Sequence, residues 1–180
     1  MWKYCPSCAS TEIGFDGSHR YSCPACGFVF YQNTAAATGC IIRGKGGILL
    51  LVRGKEPAKG KLDLPGGFVD PGEGALEGLR RELREEIGWE PAGKTEGSFT
   101  LLASFPNTYP YRGTVYHTCD LFFTLDAPDL TGDDLRGQEE EIGGFRFVGP
   151  QNIRPEDLAF DSTRRALRAY LAAYYPALPN

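Results

Sequence analysis

A group of glutamates and a glycine-rich loop lie within about two dozen residues of this sequence, and they are the side chains best suited to chemistry. Glu82, Glu85 and Glu86 are spaced at i, i+3 and i+4, which places them on one face of a helix. Like charges at this spacing destabilise a helix by roughly 0.2–0.5 kcal/mol per pair unless a cation neutralises them. Because no His or Cys adjoins them, oxygen ligands alone favour Mg²⁺ or Mn²⁺ over Zn²⁺.

The elements that must position these glutamates are also visible in the sequence. The stretch 74–87 lacks proline, and its apolar residues recur at the spacing of an amphipathic helix: Leu76, Leu79, Leu83 and Ile87. Pro65–Gly67 and Pro71–Gly72 precede it and permit tight turns and a close approach of backbone to metal or phosphate. Taken alone, the charged positions also fit a solvated, self-paired helix face. The adjoining loop favours the metal site.

The spacing of these residues matches a known signature. Gly67, Glu73, Arg81-Glu82-Leu83, Glu85-Glu86 and Gly88 reproduce the Nudix box, and Trp89 stands where an aliphatic residue is usual. The chain therefore resembles the Nudix hydrolases. The resemblance implies an α/β fold, in which a Nudix-type mixed β-sheet is sandwiched between helices.

The resemblance also implies an activity and its residues. Nudix enzymes are pyrophosphohydrolases that act on phosphorus-containing anhydrides, and we expect Mg²⁺-dependent hydrolysis of a nucleoside diphosphate linked to another moiety, with release of a nucleoside monophosphate. The implied catalytic residues are Glu73, Arg81, Glu82, Glu85 and Glu86. The implied Mg²⁺ (or Mn²⁺) ligands are Glu82, Glu85, Glu86, the carbonyl of Gly66 and a further carboxylate, Glu141. The general base is left open between Glu85, Glu86 and Glu141, and Arg81 is expected to orient Glu73.

Residues 1–33 are predicted to form a separate unit ahead of the Nudix hydrolase domain at 34–180. Two C-x-x-C pairs, Cys5/Cys8 and Cys23/Cys26, have nearly the spacing of a four-cysteine zinc site. Two disulfides or a redox pair are the alternatives, and a cytosolic compartment disfavours the disulfides. Four protein ligands leave no open position, so the zinc is expected to be structural. The unit resembles the zinc ribbon of NADH pyrophosphatases.

The segment 105–113 is predicted to be a loop that binds substrate. An aromatic side chain can stack on a base and Arg can pair with phosphate, which makes these residues the candidates: Phe105, Asn107, Tyr109, Tyr111 and Arg112. Alternatively, its aromatics only cover the edge of the core. The segment differs from the Ser-Gln-Pro-Trp-Pro-Phe-Pro sequence of NADH pyrophosphatases. Substrates therefore stay open between NAD(H), ADP-ribose or similar compounds, and nucleoside triphosphates.

Composition and the remaining segments give further expectations. A net charge of −4 argues against general nucleic-acid binding, and no apolar run resembles a signal peptide or a membrane span, so a cytoplasmic protein is expected. Cys119 is expected in the core, and a final helix over 162–175 is expected to have Asp161 or Ser162 as its N-cap. The alternative function is a non-catalytic nucleotide sensor or nucleic-acid-binding regulator that uses the ribbon. Nudix relatives are often dimers, so a homodimer is possible.

Overall fold

The computed structural model describes residues 2–91, 98–137 and 140–178. The chain forms two compact units, Met1–Thr34 and Ala35–Asn180. The elements in chain order are β1 (Gly14–Phe15), β2 (Arg20–Ser22), β3 (Val29–Tyr31), β4 (Ala35–Gly44), β5 (Gly47–Arg53), β6 (Leu62–Asp63), α1 (Ala75–Ile87), β7 (Thr100–Tyr111), β8 (Thr114–Asp126), β9 (Ile142–Val148) and α2 (Asp161–Tyr174).

The first unit is a small three-stranded antiparallel sheet in the order β1-β2-β3. Its apolar content is limited to a few aromatic contacts, such as Trp2 on Tyr21 with ring centroids 4.7 Å apart. Cys5 and Cys23 are almost fully buried within it. A unit of this size buries too little apolar surface to be stable by packing alone, so its cysteines must contribute.

The second unit is built on a mixed sheet in the order β6-β5-β4-β8-β7, with β9 paired to β5. Strands β4 and β8 run parallel, and the other pairs are antiparallel. One face of the sheet packs against α1 through Leu79, Leu83 and Ile87. The other face packs against α2 through Ala166, Leu167 and Tyr170. The sheet therefore lies between helices, which confirms the predicted fold class.

The central strands explain why the sheet is covered on both faces. Cys40 and Ile42 of β4 belong to the cluster beneath α1, whereas Ile41 between them belongs to the cluster beneath α2. Successive side chains of a strand point to opposite faces, so an unbroken apolar run requires a cover on each side. A 10-residue β4 and a 7-residue β5 of this kind must lie at the centre of the domain.

The prediction of a loop over 105–113 was wrong. Strand β7 continues to Tyr111 and pairs with β8 as far as Tyr111 opposite Thr114. Pro106 and Pro110 suggested a loop, but β7 is an edge strand, and an edge strand tolerates prolines because half of its N–H groups have no ladder partner. The turn is confined to Arg112 and Gly113.

Two further expectations were wrong. Helix α2 begins at Asp161, its N-cap is Phe160, and no side chain caps it, because Ser162 donates its hydroxyl to Asp120 instead. Cys119 is exposed rather than in the core, since its neighbours Thr118 and Asp120 take the buried positions of β8. Alternation along a strand allows only one of the two sets to face inward.

No helix in the described part of the chain is long and apolar enough to cross a membrane.

Candidate active site

Helix α1 and the loop before it form one wall of the candidate site. The helix starts after Gly74, whose amide donates to Glu77 at 2.7 Å, and it ends at Gly88 in the left-handed conformation with φ 60°. With Leu79 and Leu83 buried against the sheet, the neighbouring glutamate face is turned toward the loop. The caps and the apolar stripe together set the rotation of the helix about its axis.

The glycine loop is hydrogen-bonded along the start of β4. The amide of Thr38 donates to the Gly67 carbonyl at 2.8 Å, and the amide of Cys40 donates to the Pro65 carbonyl at 2.9 Å. Gly66 has φ 143°, and a side chain there would collide with the carbonyl of Thr38. Only glycine fits such a position, so the sequence of the loop is dictated by its approach to the strand.

A cavity of about 240 Å³ opens where the loop, α1 and the sheet meet. Its acidic end is lined by Glu82 and Glu86 of α1 together with Glu141, which follows the connection after β8. Lys55 lines the same end and forms an ion pair with Glu141. The rest of the lining includes residues of the sheet and of the start of α2: Asn107, Tyr109, Thr118, Asp120, Phe122, Phe160 and Thr163.

Glu86 is the most deeply buried of the three helix carboxylates. Its Oε2 accepts a hydrogen bond from the amide of Gly66 at 2.8 Å. Burial raises the pKa of Glu86 to about 8, and the carboxylates of Glu82, Asp63 and Glu141 act in the same direction. The Gly66 amide opposes this shift only in part. A carboxylate in such surroundings is stabilised in its charged form by a nearby cation.

Arg81 joins several of the predicted site residues. It donates to both oxygens of Glu73 at 2.8 and 2.9 Å, and to Glu82 at 2.8 Å. The Arg81 guanidinium lowers the pKa of Glu73 to about 2, whereas burial raises the pKa of Glu82. Glu85 meets Arg81 at 3.2 Å but is 54% exposed. Glu85 does not line the cavity, but Nη1 of Arg81 donates to both Glu82 and Glu85, so these two carboxylates are neighbours.

The donor set fits a hard divalent cation. Glu82, Glu86 and Glu141 offer only oxygen atoms, and Mg²⁺ needs few protein carboxylates because it retains several waters. Their oxygens do not converge as closely as the thiols do. In the ranges that the structure describes, the four cysteines are the group whose ligand atoms all lie within 4.8 Å of one another.

Comparison with known proteins agrees with this arrangement. The family model of the NUDIX domain matches residues 33–170. The chain belongs to the NUDIX domain family. The prediction from the box residues is thereby confirmed.

Two named relatives extend the comparison. The NAD-capped RNA hydrolase NudC of Chromobacterium violaceum is 32% identical over 141 residues, which are 78% of this chain and 47% of that protein. The ADP-ribose pyrophosphatase of Methanocaldococcus jannaschii is 38% identical over 112 residues, 61% of this chain and 62% of that protein. The chain thus spans about half of the first relative and less than two thirds of the second.

A solved structure resembles nearly the whole chain. The crystal structure of a NUDIX hydrolase from Nitrosomonas europaea gives a TM-score of 0.69 at 26% identity, and covers 99% of this chain and 95% of its own. A match of this extent includes the N-terminal unit as well as the NUDIX domain.

The predicted substrate residues of this NUDIX domain divide into two groups. Asn107 and Tyr109 line the cavity, and the Tyr109 ring lies 5.5 Å from that of Phe160 and 5.8 Å from that of Phe68. Phe105, Tyr111 and Arg112 do not line it. Phe105 packs toward α2 beneath Arg165, while Tyr111 and the Arg112 that stacks on it lie at the hairpin end.

Several cavity residues were not foreseen from the sequence. Lys55 and Asp63 come from the ends of β5 and β6, and Thr118 and Asp120 come from β8. Asp63 pairs with Arg53 at 3.2 Å and accepts a hydrogen bond from Thr163 at 2.8 Å. The sequence offers little signal for Thr118 and Asp120, because β8 contains other polar residues and polar strand residues usually face solvent.

The predicted zinc residues lie together in the N-terminal unit. The Sγ atoms of Cys5 and Cys26 are 3.7 Å apart, and those of Cys8 and Cys23 are 3.8 Å apart. Separations near 3.7 Å are those of the corners of a tetrahedron with metal–sulfur bonds of about 2.3 Å, the geometry of structural zinc. All four are free thiols in the structure. The arrangement therefore fits a metal better than two disulfides.

Proposed function

We propose that this protein hydrolyses the pyrophosphate bond of a nucleoside diphosphate linked to another moiety and releases a nucleoside monophosphate. The cation is Mg²⁺ or Mn²⁺. The single observation that carries the proposal is the meeting of Glu82, Glu86 and Glu141 with the Gly66–Phe68 loop in one cavity. One relative is named an ADP-ribose pyrophosphatase and the other an NAD-capped RNA hydrolase, which supports this class of reaction.

The protein residues have distinct parts in this reaction. Glu82 and Glu86 hold the cation, with Glu141 and the Gly66 carbonyl as further ligands. When bound, a divalent cation offsets phosphate charge and makes a coordinated water easier to deprotonate. Either Glu86 or Glu141 accepts the proton of the attacking water, since both line the cavity and Glu85 does not. Arg81 keeps Glu73 and Glu82 in position.

The substrate is an ADP-linked compound such as NAD(H) or ADP-ribose. The cavity volume of about 240 Å³ lies below the roughly 300–1,000 Å³ of pockets that enclose a drug-sized ligand. It therefore accommodates one ring system with its sugar and leaves the rest of a dinucleotide outside. Such a binding mode is compatible with several ADP-linked substrates.

The N-terminal unit is proposed to hold a structural Zn²⁺ through Cys5, Cys8, Cys23 and Cys26. Its folding free energy comes from the metal, because a unit of this size has too small a core. The four thiols use all tetrahedral positions, so this zinc takes no part in hydrolysis.

A nucleotide panel tests the proposal. Phosphate-anhydride cleavage is followed by chromatography with Mg²⁺ for NAD⁺, NADH, ADP-ribose, a diadenosine polyphosphate, a nucleoside triphosphate and a short NAD-capped RNA. We expect a nucleoside monophosphate from at least one ADP-linked compound, and its formation should be at least about 10²-fold slower after Glu86→Gln. Tight binding of a nucleotide or nucleic acid without turnover would favour the non-catalytic sensor instead. Homodimer formation and a cytoplasmic location stay predictions.

A further inference from the structure

Strand β8 contributes two polar side chains to the lining of the cavity. Thr118 is 3% exposed and Asp120 is 8% exposed, and both line the cavity. They are two residues apart on one strand, so they point to the same face at a distance of about 7 Å. Asn107 lies opposite Thr118 on β7 and lines the cavity beside them. The part of the lining formed by Asn107, Thr118 and Asp120 is therefore polar, and Thr118 and Asp120 are buried.

Each of these two side chains has one buried polar atom without a hydrogen-bond partner. Thr118 Oγ1 and Asp120 Oδ1 have almost no exposed surface and no hydrogen-bond partner within the described protein. The other oxygen of Asp120, Oδ2, accepts a hydrogen bond from Ser162 at 2.6 Å. A buried polar atom without a partner is unfavourable, because it has lost its hydrogen bonds to water. Since neither atom has exposed surface, a ligand group reaches it only after the side chain rotates, and the hydrogen bond formed there would then offset this loss.

The surrounding side chains define the shape of such a ligand. Phe122 follows on the same face of β8 and lines the cavity. Phe160 and Tyr109 also line it, and their ring centroids are 5.5 Å apart. Aromatic walls accept a flat ring. A carboxylate accepts hydrogen bonds only, and a hydroxyl can donate to a neighbouring acceptor. The complementary group is a planar ring that carries an amino group next to a hydrogen-bond acceptor.

We propose that Asp120 and Thr118 form the specificity site of this cavity and read the amino group of a nucleotide ring. Asp120 Oδ1 accepts from the amino group, and Thr118 donates to the adjacent acceptor. The soft terminal torsion of an Asp side chain lets Oδ1 turn toward the ring. Two parts of an ADP-linked substrate carry this chemistry: the 6-amino group of adenine beside N1, and the carboxamide of nicotinamide. The inference rests on the proposed function, since it names what that same site recognises.

The test compares mononucleotides that differ at this group. AMP is paired with IMP, in which a carbonyl replaces the amino group, and nicotinamide mononucleotide is paired with nicotinate mononucleotide. Binding is measured by titration calorimetry without added Mg²⁺, so the result does not require turnover. We expect the wild-type chain to prefer the amino member of one pair by at least about tenfold, because a site built for an N–H donor rejects its absence.

Variants assign the preference to the two residues. Asp120→Asn should reduce the preference to within about threefold, and Thr118→Val should weaken binding of the preferred nucleotide by about tenfold. Asp129→Asn, an exposed residue of the connection after β8, is the matched control and should change neither. If Asp120→Asn does not fold, Thr118→Val still tests the proposal.

The outcomes are distinct. A preference within the adenine pair assigns the site to adenine, and one within the nicotinamide pair assigns it to nicotinamide. Equal binding within both pairs, the same preference in Asp120→Asn, or no binding of either amino nucleotide at millimolar concentration would overturn the inference. Hydrolysis in the substrate panel, together with equal binding here, would reject this site while leaving the proposed function standing.

Discussion

Arg81 binds Glu73 through two parallel hydrogen bonds, 2.8 Å from Nε to Oε1 and 2.9 Å from Nη2 to Oε2. The same guanidinium donates to Glu82 at 2.8 Å and to the carbonyl of Phe68 at 2.9 Å. One side chain therefore connects the glycine loop, its acidic turn and helix α1. Planar, bidentate geometry of this kind is specific to arginine, since lysine presents a single point charge.

The first prediction concerns the pH dependence of this pair. Arg81 lowers the pKa of Glu73 from 4.5 to about 2, so its contribution to stability is present above about pH 4.5 and is lost as the pH falls through about 2. We expect Glu73→Gln to be less stable than wild type at pH 7, with the difference shrinking between about pH 5 and pH 2. Urea unfolding across this range measures it, with the exposed Glu156→Gln as control. A difference that does not change with pH would contradict the prediction.

The second prediction separates the helix glutamates. Glu86 lies in the cavity and Glu85 does not, so Glu86→Gln should lower kcat with Mg²⁺ by about 10²- to 10⁴-fold, whereas Glu85→Gln should lower it by less than about tenfold. Glutamine preserves the shape and accepts from Gly66 without a charge. Initial rates with a hydrolysed nucleotide, beside circular dichroism of each variant, provide the measurement. Equal losses of kcat in both variants would contradict the prediction that Glu85 and Glu86 have different roles.

The third prediction tests the packing of the loop on Glu82. A methyl group at Gly67 would lie 2.5 Å from Cδ of Glu82 and would displace its carboxylate. Because a misplacement of about 1 Å at a site can cost about 10²-fold, Gly67→Ala should reduce kcat/KM by at least about tenfold. Gly132→Ala is the matched control, since nothing lies within 4 Å of its added methyl group. Full activity of Gly67→Ala would place Glu82 outside the catalytic arrangement.

The fourth prediction concerns the N-terminal unit. Purified protein should contain about one zinc ion per chain by atomic absorption, and Cys5→Ser with Cys8→Ser should abolish it. Cys119→Ser removes an exposed thiol outside the cluster and should leave the metal content unchanged. Removal of the metal should also change the fluorescence of Trp2, which packs on Tyr21. Retained zinc in the double variant would refute the assignment of the ligands.

The fifth prediction uses the ion pair between Lys55 and Glu141. Lys55 forms an ion pair with Glu141, which is proposed to be a ligand of the cation. Lys55 therefore competes with the metal for this carboxylate in the substrate-free protein. The pair is partly exposed, and Lys55→Met should therefore tighten Mn²⁺ binding by only about two- to fivefold. Calorimetry with Mn²⁺ measures this. The gain in Mn²⁺ affinity should disappear when Lys55→Met is combined with Glu141→Gln, and the control Lys45→Met should show no gain. A gain that persists without Glu141 would contradict the prediction, because it would come from the change in net charge alone.

The sequence alone determined the local features of this protein. The apolar spacing of Leu79, Leu83 and Ile87 predicted α1 within a residue, because a helix needs one apolar face wherever it packs. The box residues identified the family, and the two C-x-x-C pairs located the thiol cluster. Each of these features depends on neighbours in the chain, so spacing is enough to reveal it.

Only the tertiary structure decided which polar residues face the cavity. Ala35 of β4 pairs with Thr118 of β8, and this parallel pairing of distant segments turns Thr118 and Asp120 inward and Cys119 outward. The sequence of β8 favours the opposite arrangement, because Thr118 and Asp120 are polar and polar strand residues usually face solvent. The same folding leaves Glu85 half exposed and outside the cavity lining, whereas its neighbour Glu86 lines the cavity. Long-range pairing carries information that local spacing does not contain.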